Sequence, residues 1–164
     1  VFRNPERENK IFQESSVSSP VDGVVSKIEE IDDGDYGYKI YIDSNYFNVS
    51  LLRVPLTSSI TSLELHRGSR VSSMSNLSQL LNENAEIVFT DKNLNSVKVM
   101  HRLNKSFKNI DIDAKKSQDL YKGSRYGLMI NGTTTLFLPK NFRFNISVGS
   151  HLVASEELIG YFTN

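Results

Sequence analysis

The sequence lacks cysteine, carries no excess of charge and contains no long apolar run. Without cysteine the chain cannot form disulfides or thiolate zinc sites, and it has no cysteine nucleophile. The 19 basic residues balance the 19 acidic ones, so no strong field toward nucleic acid is expected, and nucleic acid is not a predicted partner. No stretch of about 18 apolar residues is present, so no transmembrane helix is predicted.

What the sequence does contain is a succession of short strand patterns separated by turn residues. Apolar and polar residues alternate in segments such as Tyr38–Asp43 and Ser96–Leu103. The best helix candidate is Ser75–Glu86, whose three leucines lie on one helical face. The prediction is a single mainly β domain over residues 1–164, a β-barrel or barrel-sandwich hybrid with one short helix.

The segment "GLMINGTTTLFLP", Gly127–Pro139, predicts two strands joined by a tight turn at Asn131 and Gly132. Asn-Gly favours the left-handed conformations of short hairpin turns, and threonine suits a pleated sheet. The segment therefore predicts a β-hairpin.

Four segments carry a family resemblance when they are taken together. They are "VFRNPERENKIF" at the start, "SSPVDGVVSKIEEI", "DSNYFNVSLLRVPLTSSITSLELHRGS" and "LYKGSRYGLMINGTTTLFLP". In order and spacing they match the phosphatidylserine decarboxylase family in its short prokaryotic form, which the chain resembles over nearly its whole length. The resemblance implies a role in phospholipid metabolism.

The resemblance also implies a cleavage site. Members of that family cut their own chain at a Gly-Ser bond, using a histidine base oriented by an aspartate, and so form a pyruvoyl group for decarboxylation. Asp22 matches the orienting aspartate, Gly132 the glycine and Thr133 the serine. Two plainer interpretations stay open: that Asp22 is part of a hairpin turn, and that Thr133 only begins a strand.

The histidine of the family is missing from this sequence. Its position, three residues before Arg53, holds Ser50, and Arg53 itself stands where some members have histidine. Loss of a general base typically costs 10²- to 10⁴-fold in rate. The resemblance therefore implies an uncleaved pseudoenzyme without a pyruvoyl group. One alternative is slow cleavage at Gly132–Thr133 with His101 as the nearest base, giving a slow decarboxylase that makes phosphatidylethanolamine; another is a structural or assembly module.

Basic residues beside two Gly-Ser turns form a second candidate site. Together with backbone amides, they predict a site for a phosphate headgroup. The alternative is that these turns are only solvated hairpin tips. The predicted headgroup-binding residues are Arg53, Arg67, Arg70, Lys122 and Arg125.

The three histidines do not form a metal site in the sequence. His66, His101 and His151 are not spaced like zinc ligands, so no metal is predicted, and structural or surface roles are expected for them.

Partners and location follow from the resemblance alone. It implies a phospholipid or membrane surface as partner, and either self-association or pairing with an active family member. Residues 1–14 resemble the family segment that follows a membrane anchor, so an upstream anchor and a position on the cytoplasmic side of a prokaryotic membrane are expected.

Overall fold

A computed structural model of the protein describes residues 15–45, 51–68, 82–104 and 109–163. Fourteen strands run through these ranges. The first seven are β1 (Ser16–Ser18), β2 (Gly23–Asp33), β3 (Tyr36–Ser44), β4 (Leu51–Arg53), β5 (Ser58–His66), β6 (Asn84–Thr90) and β7 (Ser96–Leu103). The others are β8 (Asp111–Ile112), β9 (Asp119–Leu120), β10 (Arg125–Leu128), β11 (Gly132–Pro139), β12 (Phe142–Phe144), β13 (His151–Leu152) and β14 (Leu158–Phe162).

The strands form one large sheet and two small ones. The large sheet has eight strands in the order β13-β2-β3-β11-β7-β6-β5-β9 and curls into a half-barrel. The small sheets have three strands each, in the orders β1-β14-β12 and β4-β10-β8. The prediction of a mainly β fold is confirmed.

Alternation of side chains decides which face of each strand enters the core. In β6, Ala85, Ile87 and Phe89 are fully buried while the residues between them are partly exposed, and β7 repeats this pattern. A period of two places alternate residues on the same face of a strand. One apolar cluster results, to which all three sheets contribute, with members that include Val17, Ile42, Leu52, Ile87, Val99, Tyr126, Leu136 and Ile159.

Strand β11 lies in the interior of the large sheet and is paired on both edges. From Gly132 to Phe137, every residue is opposite a residue of β3 on one side and of β7 on the other. Thr134, Leu136 and Leu138 face the core, so the strand is fixed by its backbone ladder and by packing.

Two sequence predictions are corrected by this arrangement. The helix predicted over Ser75–Glu86 is wrong for Asn84–Glu86, which begin β6, since the alternating apolar residues that follow extend the strand back to Asn84. Residues 75–81 lie outside the described ranges. The predicted hairpin is also wrong: Asn131 does turn the chain, with φ of 58°, but β10 before it pairs with β4 and β8, not with β11.

No helix in the described part of the chain is long and apolar enough to cross a bilayer.

Candidate functional site

Gly132 and Thr133 are the first two residues of β11, so the bond between them lies inside the large sheet. Gly132 is opposite Ser44 of β3 and Leu103 of β7, and Thr133 is opposite Asp43 and Arg102. A Cβ added to Gly132 would come within 2.5 Å of Met129 Sδ and 2.6 Å of the Arg102 carbonyl oxygen. The close approach of neighbouring atoms therefore requires glycine at this position, whether or not the chain is cut.

The Thr133 hydroxyl is held by two polar side chains. Its Oγ1 donates a hydrogen bond of 3.0 Å to Asp43 Oδ1, and Asn104 Nδ2 donates one of 3.4 Å to Thr133 Oγ1. These residues line an open cleft of about 670 Å³ together with Ser26, Lys27 and Tyr41. The Thr133 side chain thus faces solvent, with a carboxylate as its hydrogen-bond acceptor.

His101 lies on the opposite face of the sheet from Thr133. It is fully buried, with Nδ1 at 2.8 Å from Thr134 Oγ1 and Nε2 at 2.5 Å from the Tyr126 hydroxyl. Successive residues of a strand point to opposite faces, so the contact with Thr134 places the imidazole away from Thr133. His101 is therefore not positioned to take the Thr133 proton.

Burial controls the charge of this internal cluster. Desolvation lowers the pKa of His101 to about 3, and it raises the pKa of Tyr126 above its ordinary value. The imidazole is therefore neutral at physiological pH. One ring nitrogen donates and the other accepts, so the two hydroxyls and the ring satisfy each other inside an apolar core.

The other two histidines share the face of Thr133 but lie far along it. His66 pairs with Asn84 and His151 with Val24, and both belong to the row of opposed residues that includes Thr133. Each is three strands away from Thr133, at roughly 4.8 Å per strand, which is beyond hydrogen-bond reach. Both side chains are exposed.

Asp22 lies at the same end of the sheet as Gly132, but its carboxylate is already bound. Oδ1 accepts a 2.6 Å hydrogen bond from the Ala154 amide, and the Asp22 carbonyl accepts one from Ser44, the residue opposite Gly132. Asp22 precedes β2 without forming a hairpin turn, because β1 and β2 belong to different sheets. Ser50 lies outside the described residues.

Three of the predicted basic residues lie on β4, on β10 and in the turn that precedes β10. Arg53 and Arg125 are directly opposite each other, and Arg53 Nη1 donates to the Gly123 carbonyl at 3.2 Å. Lys122 Nζ donates to Ser16 Oγ at 2.6 Å, and burial lowers the pKa of this amine to about 8. We call Arg53, Lys122 and Arg125 the basic triplet.

No ion pair joins Arg53 or Arg125 to an acidic residue in the described ranges. Like charges directly opposite each other in an antiparallel pair destabilise the pair. A bound anion would relieve this repulsion, so the basic triplet is suited to a phosphate.

Arg67 is not part of this group. Its Nη1 donates at 2.7 Å to the buried carboxylate of Glu83 and at 2.8 Å to the Ile110 carbonyl. Glu83 also accepts from the Ile110 amide at 2.6 Å, so Arg67 neutralises an internal acid. Arg70 lies outside the described residues.

The backbone amides of one of the two turns expected to assist a phosphate, residues 122–124, are engaged elsewhere. The Lys122 amide donates to Thr57 Oγ1, the Gly123 amide to the Val54 carbonyl, and the Ser124 amide to the Tyr121 carbonyl. An amide nest at this turn is therefore excluded, and an anion would bind through side chains. Within the described ranges no three histidine or acidic side chains come together as a metal site.

Comparison with known sequences decides the family. A sequence model described as phosphatidylserine decarboxylase matches residues 1–160. The chain belongs to the phosphatidylserine decarboxylase family. A phosphatidylserine decarboxylase proenzyme of Geobacter metallireducens is 30% identical, across 97% of this chain and 74% of the relative. Proenzymes of Ehrlichia chaffeensis and Desulfotalea psychrophila are 28% and 29% identical, across 88% and 97% of this chain and 67% and 76% of the relatives.

Membership of the phosphatidylserine decarboxylase family confirms the resemblance on which the sequence interpretation depended, and it gives the protein a role in phospholipid metabolism. The match extends over the cleavage region and over the basic triplet.

Sequence reasoning missed three residues that shape the site. Asp43 and Asn104 bind the Thr133 hydroxyl, and Tyr126 completes the internal cluster with His101. A usable signal existed for Asp43, which ends an alternating strand on its polar face. No signal identifies Asn104 or Tyr126, because each depends on which strands are neighbours and in which register.

Replacement of Gly132 by alanine should destabilise the fold. The added methyl group meets Met129 and the Arg102 carbonyl, and overpacking of this kind costs about 1–3 kcal/mol. Thermal or urea unfolding measures the loss. The control, Thr133→Ala, removes a hydroxyl at the edge of a cleft and should cost no more than about 1 kcal/mol. Equal stability of wild type and Gly132→Ala would contradict the close contact.

His101 should make the protein less stable as the pH decreases. Its pKa is about 3 in the fold and about 6.5 when unfolded, so the unfolded state binds more protons between those values. The free energy of unfolding should therefore lose about 1.4 kcal/mol per pH unit from this residue as pH falls through that range. Urea unfolding across the range, compared with His101→Gln, measures the difference in slope. The matched control is exposed His66→Gln, and a slope unaltered by His101→Gln would count against the buried neutral imidazole.

Proposed function

We propose that this member of the phosphatidylserine decarboxylase family stays uncleaved, carries no pyruvoyl group and acts as a pseudoenzyme that binds phospholipid headgroups. The observation that carries the proposal is the setting of Gly132 and Thr133. Their bond lies in a strand paired on both edges, and the Thr133 hydroxyl is bound by Asp43 and Asn104 with no imidazole in reach.

The chemistry of self-cleavage explains why this setting matters. The hydroxyl oxygen must attack the Gly132 carbonyl carbon, and a base must accept the hydroxyl proton as the bond forms. Threonine adds a methyl group that restricts the χ1 rotamer of the nucleophile. Resonance keeps the peptide between Gly132 and Thr133 planar, and strand pairing on both edges fixes the backbone dihedrals around it, which opposes the rotation that attack requires.

The residues at this position do not fit a pyruvoyl group. Such a group arises from serine, and here the position holds threonine, whose cleavage and elimination would leave a 2-oxobutanoyl group instead. The carboxylate that meets the hydroxyl is by nature a weaker base than imidazole.

Headgroup binding is supported by the basic triplet. Two arginines face each other without an acidic partner in the described ranges, and Lys122 lies in the turn that precedes β10. Arginine pairs with phosphate through two parallel hydrogen bonds, so two opposed arginines can hold one phosphate group. A phospholipid headgroup presents such a phosphate at the surface of a bilayer.

The second candidate function is slow self-cleavage at Gly132–Thr133, which would make the protein an atypical decarboxylase. One observation favours it, the 3.0 Å hydrogen bond from Thr133 Oγ1 to Asp43, which supplies an acceptor for the proton. A structural or assembly module is the third.

The denatured mass of the full-length protein from its native source separates these functions. We expect one uncut species, and Asp43→Asn should leave that mass pattern unchanged. Two fragments that meet at Gly132 and Thr133, lost in Asp43→Asn, would establish the second function and overturn the first. Uncut protein that binds no headgroup would leave the third.

Headgroup binding should depend on the charge of Lys122. This amine is protonated below its pKa of about 8, so affinity for soluble glycerophosphoserine should fall as pH rises from about 7 to about 9. Isothermal titration calorimetry across this range measures the loss. Lys122→Arg should keep its affinity to the upper end, because arginine stays charged. Affinity of the wild type that does not change with pH would rule out Lys122 as a phosphate ligand.

A further inference from the structure

Arg102 contains the one buried side-chain polar atom that has no hydrogen-bond partner in the described part of the chain. This atom is Nε. Within the same ranges the guanidinium donates from Nη2 to Met100 Sδ at 3.3 Å, and thioether sulfur is a weak acceptor. Buried polar groups in native proteins are almost always hydrogen-bonded, so the unpaired nitrogen of Arg102 calls for an explanation outside the fold.

The positive charge of Arg102 is unpaired as well. No ion pair joins it to an acidic residue in the described ranges. By strand register the closest acids are Glu86 and Asp43. Glu86 pairs with Lys98 at 2.9 Å, and Asp43, on the far side of β11, accepts the hydrogen bond from Thr133. Burial of the charge is therefore the main influence on Arg102, and it lowers the pKa of the guanidinium.

Arg102 lies on the face of β7 that adjoins the cleft at Thr133. It is directly opposite Thr133, and Asn104, two residues further along the same face, donates to the Thr133 hydroxyl. Thr133, Asn104 and Tyr41 all line this cleft of about 670 Å³, and Tyr41 is close enough to influence the pKa of Arg102. Arg102 is partly exposed, so a small solute in the cleft can reach its guanidinium.

An arginine in this setting lowers the stability of the fold. Removing a charged group from water without giving it a partner is unfavourable. The residues directly opposite Arg102, Thr133 on one side and Asn84 on the other, are neutral and do not offset that cost. Residues that oppose stability are expected where function requires them, and the partner that Arg102 lacks is an anion.

We propose that Arg102 binds a small carboxylate anion in the cleft at Thr133. Guanidinium and carboxylate pair through two parallel hydrogen bonds, and the Asn104 side-chain amide is a further donor on the same face. A single positive charge with the Asp43 carboxylate across β11 suits a monoanion, because a phosphate dianion would be repelled more strongly. The site belongs to the large sheet, which contains no member of the basic triplet, so it does not rest on the headgroup binding proposed above.

The first test is Arg102→Met in the full-length protein, which keeps an unbranched side chain and removes the charge. In sodium chloride the variant should melt at the wild-type temperature or above it, because an unpaired charge is gone. Sodium L-lactate at about 100 mM should raise the melting temperature of the wild type by about 3–6 °C, as a ligand at about ten times its dissociation constant does. Arg102→Met should show no such shift. Equal melting temperatures of the wild type in the two salts would overturn the proposal.

Two further variants and a spectroscopic signal locate the bound anion. The matched control is Arg143→Met, at an exposed arginine of β12, which should keep the full lactate shift. Arg102→Lys keeps the charge without the planar fork, so its lactate affinity should fall about ten-fold. In nitrogen-15 spectra, the arginine Nε–H resonance that is missing from Arg102→Met should move when lactate is added to the wild type. Movement of a different arginine resonance alone would place lactate elsewhere and overturn the proposal.

Phosphate and a headgroup carboxylate are the competing anions. A larger Arg102-dependent shift in sodium phosphate of the same ionic strength would overturn the assignment to a carboxylate. Glycerophosphoserine carries a carboxylate that glycerophosphoethanolamine lacks, and both carry the phosphate expected at the basic triplet. A preference for glycerophosphoserine that Arg102→Met abolishes would assign the carboxylate to a headgroup, and lactate binding without that preference would assign it to a free acid. Lactate binding through Arg102 in a protein that binds neither diester would overturn headgroup binding and leave this site standing.

Discussion

The pairing of β11 with β3 and β7 is the constraint on which the rest of the molecule depends. This strand lies in the interior of the eight-stranded sheet, where six consecutive residues from Gly132 to Phe137 are opposed on both sides. Its inward residues pack into the core, and Thr133 near its start lines the cleft beside Asp43. The bond between Gly132 and Thr133 thus lies at the start of a strand that pairs on both edges within the half-barrel.

Two consecutive hydroxyl side chains of β11 therefore lie in different chemical surroundings. Thr133 faces the cleft and a carboxylate, while Thr134 faces the core and a neutral imidazole. Because strand geometry alternates, a histidine on the neighbouring strand can serve one of these hydroxyls and not both. His101 serves the inner one, and there it fills a structural role with Tyr126 as its second partner. Arg53 and Arg125, by contrast, belong to β4 and β10 of a different sheet.

The sequence was sufficient for the fold class and for the family, and insufficient for the neighbours of each strand. Alternation identified strands such as β3 and β7 because a half-buried strand must alternate. It could not show that β10 and β11, separated by a short turn, belong to different sheets, since local turn chemistry fits a hairpin equally well. The partners of Thr133 were missed for the same reason, and so was the ion pair of Arg67 with Glu83, because the burial of Glu83 has no local signature.

The position of β11 also decides what a cut chain would look like. Severed between Gly132 and Thr133, the carboxyl-terminal piece would keep its ladder to β3 and β7, its contact of β13 with β2 and its pairing of β14 with β1. The two pieces would remain one particle, held as a non-covalent complex with an unchanged hydrodynamic radius. Gel filtration under native conditions would therefore not detect the cleavage. Only denaturation of the sheet would separate the two pieces and show that the chain had been cut.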